Sequence, residues 1–148
     1  MAKLTGGCQC GRVRYEADVE NFEAYLCHCR MCQRASGNVF IAFKNLRKDT
    51  VQWLVQPDWY ASSPIARRPF CSQCGTPLGF EYFDSEFMDL TIGAFDDPAP
   101  FFPTENFGIE SRHAAWSDTS HLPGARTEDS ESITRRWQQA EKHKPGGQ

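Results

Sequence analysis

Phe70-Cys71-Ser72-Gln73-Cys74-Gly75-Thr76-Pro77-Leu78 decides how this chain is read. Two cysteines three positions apart, bent around backbone amides, can both reach one metal ion. Gly75, directly after the second cysteine, permits the tight turn that lets those amides point at sulfur. Cys8-Gln9-Cys10-Gly11 is a tighter pair with the same trailing glycine, and Gly6-Gly7 precede it. The two pairs are natural partners, since together they offer four sulfurs, enough to close a tetrahedral zinc site. They lie far apart in sequence, so a shared metal would tie the halves of the chain together and couple its own binding to folding. The competing reading is a pair of surface thiols or a redox couple. A redox CxxC usually sits before a helix in a βαβ setting, and no helical pattern follows Cys74.

The other three of the seven cysteines fall in one run, Cys27-His28-Cys29-Arg30-Met31-Cys32-Gln33-Arg34-Ala35-Ser36-Gly37. Three sulfurs leave one position of a tetrahedron open, and open zinc sites do chemistry whereas closed ones are structural. In an extended start, Cys27 and Cys29 point one way and His28 the other; Cys32 then folds back through a turn. Three thiolates on a divalent zinc leave a net charge of about −1 and favour a soft fourth ligand, of which a substrate thiol is the obvious candidate. Ligation deprotonates such a thiol and readies it for an electrophile such as an aldehyde carbonyl. Arg30 and Arg34, within the run, flank the site and could offset the excess charge or hold a substrate carboxylate. Ser36 adds a hydroxyl. Two alternatives stand beside this reading: His28 as a fourth ligand that closes the site, or metal-free thiols acting as a redox sensor.

The bulk numbers exclude several classes. A chain of 148 residues is one domain of ordinary size. Lys plus Arg is 16 and Asp plus Glu is 19, a net charge of 16 − 19 = −3. A mildly acidic chain with no long basic run is a poor binder of nucleic acid or anionic membranes. No apolar run approaches a membrane-spanning length, and the N-terminal residues carry no secretory signature. The expected compartment is the cytoplasm, where clustered cysteines read as metal or redox sites.

Along the chain, Val13, Tyr15, Ala17 and Val19 alternate with Arg14, Glu16 and Asp18, the pattern of a half-buried strand. Ala24-Tyr25-Leu26 is expected to be extended, Val39–Phe43 a buried strand and Asn45–Asp49 a polar turn. Further strands are expected at Val51–Val55, Trp59–Ala61, Phe80–Phe83 and Leu90–Ile92. Prolines 98, 100 and 103 rule out a regular central strand or helix over residues 93–107. Phe95, Phe101, Phe102 and Phe107 are expected to tack that stretch to the core. Arg112–Trp116 reads as a last strand. Only residues 130–144 look convincingly helical, with Ser130 as cap, Ile133, Trp137 and Ala140 on one stripe, Lys142, His143 and Lys144 at the negative end, and Pro145-Gly146-Gly147 as the stop. This helix reads as a packing lid. Trp53, Trp59 and Trp116 read as core or rim packing before they read as a contact surface.

With these motifs assembled, the chain resembles the glutathione-dependent formaldehyde-activating (GFA) family from about Gly6 to about Trp116. The carriers are Gly7-Cys8-Gln9-Cys10-Gly11, the segment from Cys27 to Gly37, and Phe70 to Leu78, with a weaker echo in Gly93–Pro98 and His113–Trp116. The resemblance implies a mainly-β, β-tent fold of small antiparallel sheets, similar to that of a zinc-binding chaperone of Rab-type GTPases. It implies a structural zinc on Cys8, Cys10, Cys71 and Cys74 and a catalytic zinc on Cys27, Cys29 and Cys32, two per chain. It also implies a carbon–sulfur lyase that joins a thiol such as glutathione to formaldehyde. Arg30, Arg34 and Ser36 are the candidate substrate contacts. The expected organisation is a zinc-binding domain over 1–125 and a helical extension over 126–148. A non-catalytic interaction module of the Rab-chaperone type is the alternative function, with a thiol redox sensor beside it.

Overall fold

The computed structural model describes residues 1–143. The chain divides into two compact units, Met1–His113 and a second from Ala114 onward. The first unit is mainly β, as expected. Strands β1 (Ala2–Gly7), β2 (Arg14–Val19), β3 (Glu23–Cys27), β4 (Ile41–Arg47), β5 (Val51–Trp53), β6 (Asp58–Ser63), β7 (Ala66–Phe70), β8 (Gly79–Tyr82), β9 (Phe87–Thr91) and β10 (Phe102–Phe107) form two sheets. One is antiparallel with the order β1-β2-β5; the other has seven strands in the order β10-β3-β4-β9-β8-β7-β6. Between β3 and β4 lies helix α1 (Arg30–Ser36), and helix α2 (Glu131–Lys142) belongs to the second unit.

Strict alternation places Tyr15, Ala17 and Val19 of β2 inward and Arg14, Glu16 and Asp18 outward. The inward residues pack with Leu46, Met88, Leu90 and Phe95 into the main core cluster. Tyr15 meets Trp53 and Phe95 edge to face at 5.4 and 5.6 Å, and Trp53 meets Trp59 at 6.3 Å. These two tryptophans are packing residues. Trp116 is 59% exposed. The cysteines belong to two smaller clusters: Cys8 and Cys71 with Val13, Leu78 and Ala94, and Cys27 and Cys32 with Ile41 and Phe43.

Several expectations need correction. Asn45–Asp49 is not a turn. β4 continues to Arg47, with Lys44 paired to Leu90 and Asn45 to Asp89 across β9, and the 3₁₀ turn comes at Lys48–Thr50. Polar residues hide this strand because their partners are internal: Lys44 Nζ donates to Asn21 Oδ1 and the Glu23 carbonyl at 2.7 and 2.8 Å. β5 stops at Trp53, leaving Leu54 and Val55 exposed. The proline-rich stretch does wrap without a central strand. It ends in β10, however, an edge strand parallel to β3 whose register slips between Pro103 and Glu105, as proline at an edge allows. Phe95 and Phe101 pack against the core, but Phe102 and Phe107 are 51% and 58% exposed. Arg112–Trp116 is not a strand, because the chain turns in 3₁₀ form at Ile109–Ser111 and again at Ala114–Trp116. In the second unit α2 forms after Ser130, which makes no side-chain cap bond; Lys144 and the Pro145-Gly146-Gly147 stop lie outside the described residues. No helix of the described residues is long and apolar enough to cross a membrane.

Candidate metal centres

The two halves of the first site arrive on separate turns. After β1, Cys8 N donates to the Val13 carbonyl at 3.0 Å and Val13 N donates to Cys8 Sγ at 3.2 Å. In the second knuckle Cys71 N donates to the Thr76 carbonyl and Gly75 N to the Cys71 carbonyl, at 3.1 and 2.7 Å. Gly11 and Gly75 close these turns at φ 82° and 79°, a region glycine enters without penalty. Gln9 N donates to Thr76 Oγ1 at 3.1 Å and stitches one knuckle to the other. Arg12 Nε donates to Cys71 Sγ at 3.4 Å while its far end pairs with Asp58, which in turn accepts from Ser72 N at 2.8 Å. All four sulfurs lie within 4.8 Å of one another. Cys8 to Cys10 is 3.5 Å and Cys10 to Cys71 is 3.7 Å. A tetrahedron with metal–sulfur arms of about 2.3 Å has edges of about 3.8 Å, so the four thiols fit a metal ion. The Thr76 hydroxyl and amide pull the Cys74 thiol down to about 5.

The second site sits where β3 gives way to α1. Cys27 ends the strand and Cys29 caps the helix: its Sγ accepts from Cys32 N at 3.4 Å. Cys32 lies on the first turn, and Gly37 closes the helix at φ 72°. The fold-back expected for Cys32 is therefore this helical turn. A seven-residue helix with no apolar stripe and a thiol as its cap left little trace in the sequence. The three sulfurs lie within 4.8 Å of one another, with Cys27 to Cys29 at 3.6 Å. This spacing also fits a metal. His28 is buried on the other face, its Nε2 2.8 Å from Asn106 Oδ1. Gln33, also buried, bridges the His28 and Ser111 carbonyls at 2.7 and 3.0 Å.

The sequence-predicted substrate contacts separate. Arg30 Nη1 donates to Gln33 Oε1. Ser36 Oγ donates to the Cys32 carbonyl at 2.9 Å and accepts from Asn38 N, which makes it part of the helix end. Arg34 lines a cavity of about 510 Å³ beside α1. The group that meets sulfur is one the sequence reading missed: Arg68 of β7, 7% exposed, whose Nη2 donates to Cys32 Sγ at 3.4 Å. Its guanidinium lies 4.9 Å over the Phe80 ring. Cys32 is held below the ordinary thiol value by the Cys27 thiol it accepts from and by Arg68, against the opposing effect of burial.

Cys27, Cys29 and Cys32 line a second cavity of about 560 Å³, with Tyr25, Arg68 and Asp89 in its wall. The sulfurs of the four-cysteine group line neither cavity. Asp89 is pushed up to about 6 by burial, although Asn45 and Tyr25 donate to its carboxylate. Its folded value lies above the ordinary 3.8. Its contribution to stability is therefore fully present below pH 3.8 and is lost as pH rises through about 6. Asp89→Asn should gain on wild type by about 2 kcal/mol more at pH 8 than at pH 4.5. Urea midpoints at the two pH values measure the gain; an equal offset at both refutes the assignment.

Gly108 supports the same site from below. It sits at φ 69°, and a Cβ there would lie 2.9 Å from Cys29 N. Gly108→Ala should push on Cys29 and lower the capacity of the three-cysteine group to retain a metal ion, measured as metal per chain after zinc loading. Unchanged zinc content would show that the backbone gives instead.

The glutathione-dependent formaldehyde-activating enzyme family matches this chain over residues 3–111. The chain belongs to that family. The matched GFA span takes in every strand but for Ala2 at the start of β1, with α1 and both cysteine groups. A Schizosaccharomyces pombe protein named as an uncharacterized lyase is 35% identical over 82 residues, which are 55% of this chain and 60% of that one. A crystal structure of a Rhodobacter sphaeroides protein aligns with a TM-score of 0.57 and 20% identity, over 70% of this chain and 99% of that one. That second likeness is one of fold.

Proposed function

We propose that this chain is a zinc-dependent carbon–sulfur lyase that acts on a thiol, glutathione or one like it, and a small aldehyde such as formaldehyde. One observation carries the reading: the three-cysteine group opens on a cavity of about 560 Å³, whereas the four-cysteine group is built into paired turns. Family membership and the lyase-named relative support the same class. Two zinc ions per chain follow, one structural on Cys8, Cys10, Cys71 and Cys74, and one for chemistry on Cys27, Cys29 and Cys32. Zinc at the second group would keep a bound thiol deprotonated near neutral pH, ready to add to an aldehyde carbon.

The chain's own residues do the rest. Arg68 faces Cys32 with a fixed positive charge that offsets the surplus of thiolate. Phe43, Phe80 and Phe107 in the cavity wall limit the water around the sulfurs. The overall reaction forms one carbon–sulfur bond and moves the thiol proton to the carbonyl oxygen; the reverse reaction breaks that bond. Tyr25 and Asp89, hydrogen-bonded in the same wall, can hold that proton. The opening of the site favours an enzyme over a Rab-chaperone type module.

The test is formation of S-hydroxymethylglutathione from glutathione and formaldehyde, followed by NMR exchange spectroscopy against the uncatalysed rate. Protein carrying two zincs should accelerate it. No acceleration with glutathione or with simpler thiols would count against the lyase reading.

A further inference from the structure

The cavity of about 510 Å³ beside α1 borders the sulfur-lined one, and Met31 and Arg68 belong to the walls of both. Among the described residues, Tyr15 Oη, Ser62 Oγ and Arg68 Nη1 are the buried side-chain polar atoms that lack a hydrogen-bond partner. Two of these three belong to residues lining this cavity. Buried donors are normally satisfied, so a pair of orphans on one cavity points to a ligand group that completes them.

The strands explain how they come together. β6 and β7 pair regularly at Tyr60↔Arg68, then slip register before Ser63↔Ala66. Ser62 falls in that bulge, and bulges re-aim side chains. Arg68 differs from its neighbour Arg67, which is paired to Glu81 at 2.7 Å and stacked 3.9 Å over Trp59. Arg68 makes no salt bridge to a carboxylate of the described residues. The charge of the two cavities also differs. Both walls include Arg68; the sulfur-lined cavity adds Asp89 and Glu105, whereas this one adds Arg34 and has no acidic residue in its wall. In a chain of net charge −3, that is a local site for an anion.

We propose that this cavity holds a carboxylate of the thiol substrate, with Arg68 Nη1 and Ser62 Oγ as donors and the exposed Arg34 beside them. The proposal rests on the reading of the three-cysteine group as the thiol site. Arg68 then acts at both ends of one molecule. Nη2 faces the sulfur cluster and Nη1 faces the carboxylate, with only the width of a guanidinium between them. The pocket selects thiols that carry an acid a few bonds from sulfur and disfavours neutral thiols of the same size.

The test uses S-methylglutathione, which keeps the carboxylates but has no free thiol, and its dimethyl ester, titrated calorimetrically into the zinc-loaded full chain. The acid should bind about tenfold more tightly than the ester, in line with a charge-assisted pair of hydrogen bonds. Ser62→Ala, remote from every cysteine in sequence, should weaken the acid severalfold and leave the ester unchanged. Arg68→Lys keeps the charge beside Cys32 and should also narrow the preference. Equal affinity for acid and ester, binding of neither, or a Ser62→Ala loss shared equally by both would overturn the proposal. Turnover is scored separately. Acid preference without turnover sinks the lyase reading and leaves the pocket, whereas turnover without acid preference does the reverse.

Discussion

Cys10→Ser should abolish the folded domain, although Cys10 is exposed. A surface substitution ordinarily changes stability by no more than about 0.5 kcal/mol. No apolar packing exempts Cys10: its sulfur meets the sulfurs of Cys8, Cys71 and Cys74 and the Arg12 backbone amide. If those sulfurs share a zinc, the loss is of another order. Structural zinc sites contribute about 10–16 kcal/mol, as much as the whole stability of a typical domain, about 5–15 kcal/mol. Knuckles far apart in sequence meet there, one after β1 and one after β7, joined otherwise by the Gln9–Thr76 bond, by Arg12 reaching Cys71 and Asp58, and by the packing of Cys8 and Cys71 with Val13 and Leu78. Cys71→Ser should have the same outcome, but Cys71 is fully buried, so its loss also disturbs packing. The exposed cysteine separates ligand loss from packing loss. Circular dichroism and thermal melts of Cys10→Ser, with elemental zinc analysis, provide the check. A cooperative melt near that of wild type would mean that the four-cysteine group is not the structural centre.

The sulfur framework was legible because it is local. Each cysteine pair carries its turn with it, and Gly11 and Gly75 mark the required positive φ within the motif itself. β2 was legible for a similar reason, since one face meets the core and the other water. What escaped notice depends on pairing between distant segments. β7 reads Ala66-Arg67-Arg68-Pro69-Phe70, with two charges and a proline, and nothing in that run says that Arg68 will be buried under Phe80. β4 was cut short because Lys44 and Asn45 look like surface residues until Asn21, Glu23 and Asp89 supply their partners. The polar wall of the site is built from these strands. A sheet whose face lines a cavity carries polar residues where a core would carry apolar ones, and alternation then loses its meaning. Ser62 is the extreme case, since its direction is set by a register slip that only the partner strand defines.

Cys29→Ser should lose catalysis while keeping the fold, and it is the sharpest test of the division of labour between the two centres. Cys29 is half-buried and does two jobs: its sulfur belongs to the three-cysteine group, and the same atom caps α1 by accepting from Cys32 N. Serine is a better helix cap than cysteine. The substitution therefore preserves α1, and with it the position of Cys32 against Arg68. What it removes is one thiolate, replaced by a hydroxyl too basic to ligate in its place. Cys32→Ser is a poorer choice, because Arg68 would keep a buried charge without its sulfur, and breaking such a pair costs about 3–5 kcal/mol. For Cys29→Ser the thermal midpoint should stay near that of wild type, zinc should fall from about two per chain to about one, and acceleration of the thiol–aldehyde reaction should drop by at least about a hundredfold. The paired measurement matters because each part has its own meaning. Collapse of the fold would show that the three-cysteine group is structural as well. Full activity with one zinc would show that the chemistry does not depend on the open site.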